Sequence, residues 1–246
     1  MQNELRKTLL NIPVDTCTLD ELIETIESDF QSSKTKTIFA VNPEKIIYAQ
    51  DDFELFSVLE EADFLIPDGI GIVIGFRLIY GEKISRITGI GTMQRLLSLS
   101  LQKKYRIFIL GARPHVIEQA IEKIKMDYNG VNIVGTQHGY ISEEEHDGLV
   151  ERINKLGTDI LFVGLGSPKQ ERWIHRHKND LNTKICMGIG GSLDVLSNIV
   201  PGAPIWLQKI GMEWFYRLIK EPSRFNRQRA LPKFAAQVIK QKFFPN

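Results

Sequence analysis

Three turns built from glycine, proline and acid hold the residues of this chain best suited to chemistry. The first is Asp63-Phe64-Leu65-Ile66-Pro67-Asp68-Gly69-Ile70-Gly71. A short apolar run there meets Pro67, which cannot donate to a sheet ladder, and a carboxylate follows at once. That order delivers Asp68 to the carboxyl end of a buried strand, the edge along which open α/β sheets bind ligands. A carboxylate so placed serves either as general base toward a substrate hydroxyl or as the cap of a helix starting near Gly71. The local pattern leaves both open.

The second turn is Gly164-Leu165-Gly166-Ser167-Pro168-Lys169-Gln170-Glu171. Its glycines free the backbone at a strand end, Ser167 suits an N-cap and Pro168 the first helical position, so Lys169 and Gln170 fall in the first turn. A lysine beside the positive end of a helix is unfavourable for helix formation alone, which points Lys169 toward an anionic ligand. The third turn, Gly188-Ile189-Gly190-Gly191-Ser192-Leu193-Asp194, lets a sugar or base approach the backbone at Gly190. Asp194 suits two roles there, acceptor for ribose hydroxyls or helix cap. Three further positions carry weaker signals. Gly111 opens a strand, glycine and helix turn of the phosphate-binding kind, with one glycine rather than GxGxxG. Asn42, before Pro43, reads first as a helix N-cap. Arg86 is a surface residue or an anion clamp, and its spacing favours the surface.

The elements that must position these turns alternate in type. Strands are expected at Leu9 to Val14, Thr35 to Val41, Phe64 to Ile66, Tyr105 to Leu110, Val131 to Gly135, Asp159 to Val163 and Lys184 to Met187, all short and apolar or β-branched. Thr18-Leu19-Asp20-Glu21 has capping-box form for a helix to about Phe30, and Pro43 opens a helix toward Gln50. Further helical patterns cover Phe53 to Glu61, Gly71 to Tyr80, Val116 to Met126 and Ser142 to Asn154. This alternation implies an α/β fold, a mainly parallel Rossmann-like sheet with helices on both faces. A long amphipathic helix is expected from Pro204 to Lys220, ended by Pro222. The loop near Val200 to Pro204 divides an α/β core, residues 1–202, from a helical, basic C-terminal appendage, residues 203–246.

A composition of 43% hydrophobic and 25% charged residues excludes disordered and fibrous classes. Cys17 and Cys186 lie far apart without CxxC spacing, which suggests neither a zinc site nor a disulfide framework and favours a reducing cytosol. Met1 to Lys7 lacks the basic-then-apolar build of a signal peptide, and no apolar run approaches the roughly 18 residues of a membrane span. The net charge of +1 hides an asymmetry: residues 203–246 carry nine Lys/Arg against two acids, so the appendage is +7 and the remainder −6. With Trp206, Trp214, Phe215, Phe243 and Phe244 interleaved, such a segment suits an anionic membrane surface or a polyphosphate ligand. Nucleic acid is the other candidate, through a non-enzymatic nucleotide-binding module, but no RNA-binding motif is present.

Six motifs in order, Asn42-Pro43-Glu44, Pro67-Asp68-Gly69, Arg86-Ile87-Thr88-Gly89, the glycine runs 164–171 and 188–194, and Glu213-Trp214-Phe215-Tyr216-Arg217-Leu218, resemble the WecG/TagA/CpsF family of bacterial glycosyltransferases over nearly the whole chain. The resemblance implies an inverting, metal-independent enzyme without a cofactor. Such an enzyme moves a sugar from a UDP donor to a polyprenyl-diphosphate-linked sugar, as a peripheral protein on the inner face of the cytoplasmic membrane. In the teichoic acid branch the donor is UDP-N-acetylmannosamine and the acceptor undecaprenyl-diphosphate N-acetylglucosamine. The resemblance also implies Asp68 as the base, Arg86, Gln170 and Asp194 in the donor pocket, and Arg217, Arg224 and Arg227 in an appendage that closes over the site and touches the membrane. Ala40 stands where teichoic-type members carry threonine, which leaves glucose, galactose or N-acetylmannosaminuronic acid open as the donor sugar for a capsular or exopolysaccharide.

The expected site therefore comprises Asp68, Arg217, Arg224 and Arg227 for catalysis, and Asn42, Arg86, Gly111, Gly166, Lys169, Gln170, Gly190 and Asp194 for substrate. Displacing a nucleoside diphosphate calls for a base, worth about 10²–10⁴-fold, and for positive charge at the leaving group, often the larger effect. No carboxylates are spaced as a DxD metal motif in a strand-end loop, so the arginines are the expected source of that charge. The oligomeric state, monomer or homo-oligomer, stays open.

Overall fold

The computed structural model describes residues 6–31, 34–142, 144–197, 199, 204, 207, 213–220 and 229–244. The chain opens with an antiparallel hairpin, β1 (Arg6–Leu9) and β2 (Ile12–Asp15), where a single strand over Leu9 to Val14 was expected. Leu10 and Asn11 adopt φ of 51° and 65°, a two-residue left-handed turn that matches the twist of paired strands. Leucine is an unusual residue for that turn, so composition did not mark it. The hairpin rests on the neighbouring sheet edge through Asp15, whose Oδ2 accepts from Leu65 N at 2.6 Å while Arg6 Nε holds Oδ1 at 2.7 Å.

The main sheet contains β3 (Lys36–Val41), β4 (Phe64–Pro67), β5 (Arg106–Gly111), β6 (Asn132–Gln137), β7 (Ile160–Gly164) and β8 (Ile185–Gly188). Their order is β4-β3-β8-β7-β5-β6, with every pairing parallel. Both faces are covered, which is why these strands read as apolar runs rather than as alternations. Phe39, Val41, Leu65, Phe108, Leu110, Leu161 and Val163 pack on one side with α2 (Pro43–Asp51), α3 (Phe53–Glu60), α4 (Ile70–Tyr80), α7 (Glu145–Lys155) and α8 (Lys169–His177). Ile38, Ile66, Ile107, Ile109, Phe162 and Met187 pack on the other with α1 (Leu19–Asp29), α5 (Gly89–Lys103), α6 (Pro114–Asp127) and α9 (Ser192–Leu196). Cys17 and Cys186 are free and buried; burial, aided by Asp15, pushes the Cys17 thiol up to about 11.

Register fixes where the site can be. Val41 lies opposite Pro67, Val163 opposite Gly188 and Gly111 opposite Gly164, so Asn42, Asp68 and both glycine runs leave the sheet along one edge. The C-terminal helix Ala230–Phe243 buries Ala230, Phe234 and Val238 in the same cluster as α2 and α4. At about 1.5–3 kcal/mol for each large apolar side chain, burial of Phe234 and Val238 contributes to holding it against the core. Of the helix expected from Pro204 to Lys220, the described part is Glu213–Lys220. Arg217 belongs to it, but its side chain, like Arg224 and Arg227 entirely, lies outside the described residues. No helix among the described residues is long and apolar enough to cross a membrane.

Candidate active site

The carboxyl ends of β3, β4, β7 and β8 open into a cleft of about 1700 Å³. Asn42, Asp68, Arg86, Gly166, Lys169, Gln170, Gly190 and Asp194 all line it. Residues from five separate stretches thus meet at one sheet edge, as the strand-end rule requires.

Asp68 is half-buried where β4 ends. Its backbone N–H donates to the Val41 carbonyl at 2.8 Å, which anchors the turn to β3. It does not cap α4, since Gly69 occupies the N-cap with φ 98° and makes no side-chain cap bond. Its Oδ2 instead accepts from Gly89 N, the first residue of α5, at 3.3 Å. Asn42 is the N-cap of α2, with Oδ1 accepting from Lys45 N at 2.8 Å. Ala40, the position of the expected threonine, also lines the cleft.

Across the cleft Gln170 is almost fully buried and both ends of its amide are engaged. Oε1 accepts from Gly190 N at 2.8 Å, and Nε2 donates to Glu171 Oε1 at 2.9 Å. The same Glu171 oxygen is 2.6 Å from Lys45 Nζ, which also donates to the Ala40 carbonyl at 2.6 Å. This chain of polar contacts ties the Gly190 turn, α8, α2 and the end of β3 into one rigid wall. Gly188 is needed beside it, because a Cβ there would lie 2.7 Å from Gln170 Nε2. Ser167 does not cap α8 as expected; Pro168 takes the N-cap position and α8 begins at Lys169, an exposed residue facing the cleft.

Gly111 does not line the cleft. Its φ is 136°, and a Cβ would sit 2.4 Å from the Gly164 carbonyl oxygen, so glycine there allows two strand ends to touch. Its neighbours Ala112 and Arg113 face the cleft instead. Arg86, Arg113 and Lys169 thus bring positive charge to the cleft. Among the described residues no group of three or more His, Cys, Asp or Glu is arranged to hold a metal ion.

A family model described as "Glycosyl transferase WecG/TagA/CpsF family" matches residues 7–246. The chain belongs to the WecG/TagA/CpsF family. It is a glycosyltransferase, as the resemblance implied. A protein of Bacillus subtilis (strain 168) named N-acetylglucosaminyldiphosphoundecaprenol N-acetyl-beta-D-mannosaminyltransferase is 36% identical over 242 residues, 98% of this chain and 93% of the relative. Proteins of the same name from Bacillus spizizenii and Staphylococcus aureus (strain MW2) are 35% identical over 90% of this chain and 86% of theirs, and 31% identical over 98% and 94%.

In this WecG/TagA/CpsF member the sequence reading did not single out Lys45, and it gave Glu171 no role. A signal was available for Lys45: a cation in the first turn of α2 opposes the helix dipole, the same anomaly that drew attention to Lys169. Arg113 was masked by the single glycine before it, a weak motif that directed attention to Gly111.

Proposed function

We propose that the protein transfers N-acetylmannosamine from UDP-N-acetylmannosamine to undecaprenyl-diphosphate-linked N-acetylglucosamine, a step of teichoic acid or related cell-wall polysaccharide synthesis. The names of the relatives supply the substrates, and the placement of Asp68 carries the chemistry. The acceptor hydroxyl attacks the anomeric carbon of the donor while the bond from that carbon to the diphosphate breaks. The hydroxyl proton passes to the Asp68 carboxylate, and the electron pair of the broken bond leaves with UDP. A single displacement of this kind inverts the anomeric configuration. Asn42, Gln170, Gly190 and Asp194 are assigned to the nucleotide sugar, with Arg86, Arg113 and Lys169 offsetting the diphosphate charge.

Residues 203–246 act in this reading as a lid that brings Arg217, Arg224 and Arg227 over the leaving group. They also form a peripheral membrane contact, at about 1 kcal/mol for each Lys/Arg near an anionic surface. UDP release measured with UDP-N-acetylmannosamine, UDP-glucose, UDP-galactose and UDP-N-acetylmannosaminuronic acid, each with the lipid-linked acceptor, tests the assignment. Turnover with N-acetylmannosamine above the others is expected, and release only with another donor overturns the sugar. Ala40 keeps that comparison necessary.

A further inference from the structure

Helix α4, Ile-Gly-Ile-Val-Ile-Gly-Phe-Arg-Leu-Ile-Tyr, is apolar almost all round, a composition that ordinarily means burial on every side. Yet Ile74 is 51% exposed and Leu78 39%. On the neighbouring C-terminal helix Ile239 is 53% exposed. The two helices run side by side in the same direction. Phe234 lies against Gly71 and Gly75 near the start of α4, and Lys242 Nζ donates to the Leu78 carbonyl at 2.6 Å near its end. Ile70, Ile74 and Leu78 therefore form one row at helical spacing and Leu231, Ala235 and Ile239 a second beside it, and all six line the same cleft as Asp68.

The rows begin two residues beyond Asp68 and run for about 12 Å along α4. At their far end stand Phe243 and Phe244, 68% and 72% exposed, together with Lys240 and Lys242. Aromatic rings and lysines of this kind settle at the boundary between lipid headgroups and acyl chains. The groove is thus apolar along its length, open to the catalytic cleft at one end and furnished for a bilayer at the other.

We infer that this groove holds the first isoprene units of the acceptor's polyprenyl chain. The inference rests on the proposed lipid-linked acceptor. It adds a binding site for the chain, which leads the acceptor from the membrane boundary to Asp68. A chain lying in the groove covers side chains that water otherwise touches, so affinity rises with chain length until the groove is full.

The test uses acceptors with a short alkyl or a long polyprenyl tail on N-acetylglucosamine diphosphate, in detergent without a bilayer. Wild type is expected to show a lower KM for the long-tailed acceptor. The Ile74→Asn/Ile239→Asn variant, altered at half-exposed positions that folding does not require, is expected to raise that KM roughly tenfold, toward the wild-type value for the short tail. A variant that keeps the full dependence on tail length overturns the groove while leaving sugar transfer intact. An effect that appears only when vesicles are added assigns the face to bilayer contact and also overturns it. Should wild type transfer sugar to neither acceptor, the functional reading fails. Photolabelling by a sugar-free polyprenyl diphosphate then decides the groove separately, supporting it by label in residues 70–78 and 231–239 and overturning it by label elsewhere.

Discussion

Lys45 Nζ lies 2.6 Å from Glu171 Oε1, with the two side chains 7% and 0% exposed, and joins residues 126 positions apart. A pair buried this deeply contributes little net stability over an apolar replacement, but removing one partner strands the other charge at a cost of about 3–5 kcal/mol. Lys45→Met is therefore expected to lower the melting temperature by roughly 10 °C in a chain of this size. Lys45→Met combined with Glu171→Leu recovers most of that loss. Thermal scans of the two variants check it, and equal melting temperatures for both would contradict the account.

Asp68→Asn keeps the shape of the β4 turn and an oxygen for the Gly89 N–H, but removes the base. Turnover is expected to fall by about 10²–10⁴-fold with little change in melting temperature. UDP release under saturating donor and acceptor measures it. Undiminished turnover sinks the role of Asp68.

Gln170→Ala frees the Gly190 N–H and withdraws a donor from Glu171. Each buried group left unpaired costs about 1–3 kcal/mol. The donor KM is expected to rise about tenfold, because the Gly190 turn loses its side-chain tether to α8. Steady-state kinetics with varied UDP-sugar read this directly. A change confined to the acceptor KM would place the Gly190 turn elsewhere in the reaction.

His177 is buried in α8 with its Nε2 unpartnered among the described residues. Burial holds its pKa below the usual 6.5, aided by His146 and Arg176 and opposed by Asp147 and Asp180. The unfolded chain then binds a proton more readily than the folded one, so stability is full above about pH 6.5 and declines as pH falls below it toward the depressed native value. His177→Phe, which keeps a ring against Trp173, 4.8 Å away between centroids, should flatten the melting temperature between pH 7 and 5. An unchanged slope would assign the acid sensitivity to other groups.

By itself the amino-acid sequence determined the elements and the edge on which the site lies. Pro67 stops β4 and puts Asp68 at a strand end because a residue without an N–H cannot extend the ladder. The strands, apolar on both faces, required helices on both sides of the sheet. These are short-range effects, carried by residues a few positions apart. The hairpin at Leu10 and Asn11 escaped because its turn chemistry is atypical. Tertiary structure alone decided which groups each polar side chain would meet. Gln170 reads in sequence as a ligand contact, and in the fold its amide, on the cleft wall, is also held between Gly190 and Glu171. Asp68 reads as a general base or as a cap for α4, and in the fold its carboxylate answers the amino end of α5, 21 positions away. Lys45 stands out only as a cation in the first turn of α2, and the fold alone shows that its charge is neutralised by Glu171 across the sheet edge. A buried polar group must find its partner wherever the packing places one, and the sequence interval between partners carries no trace of that choice.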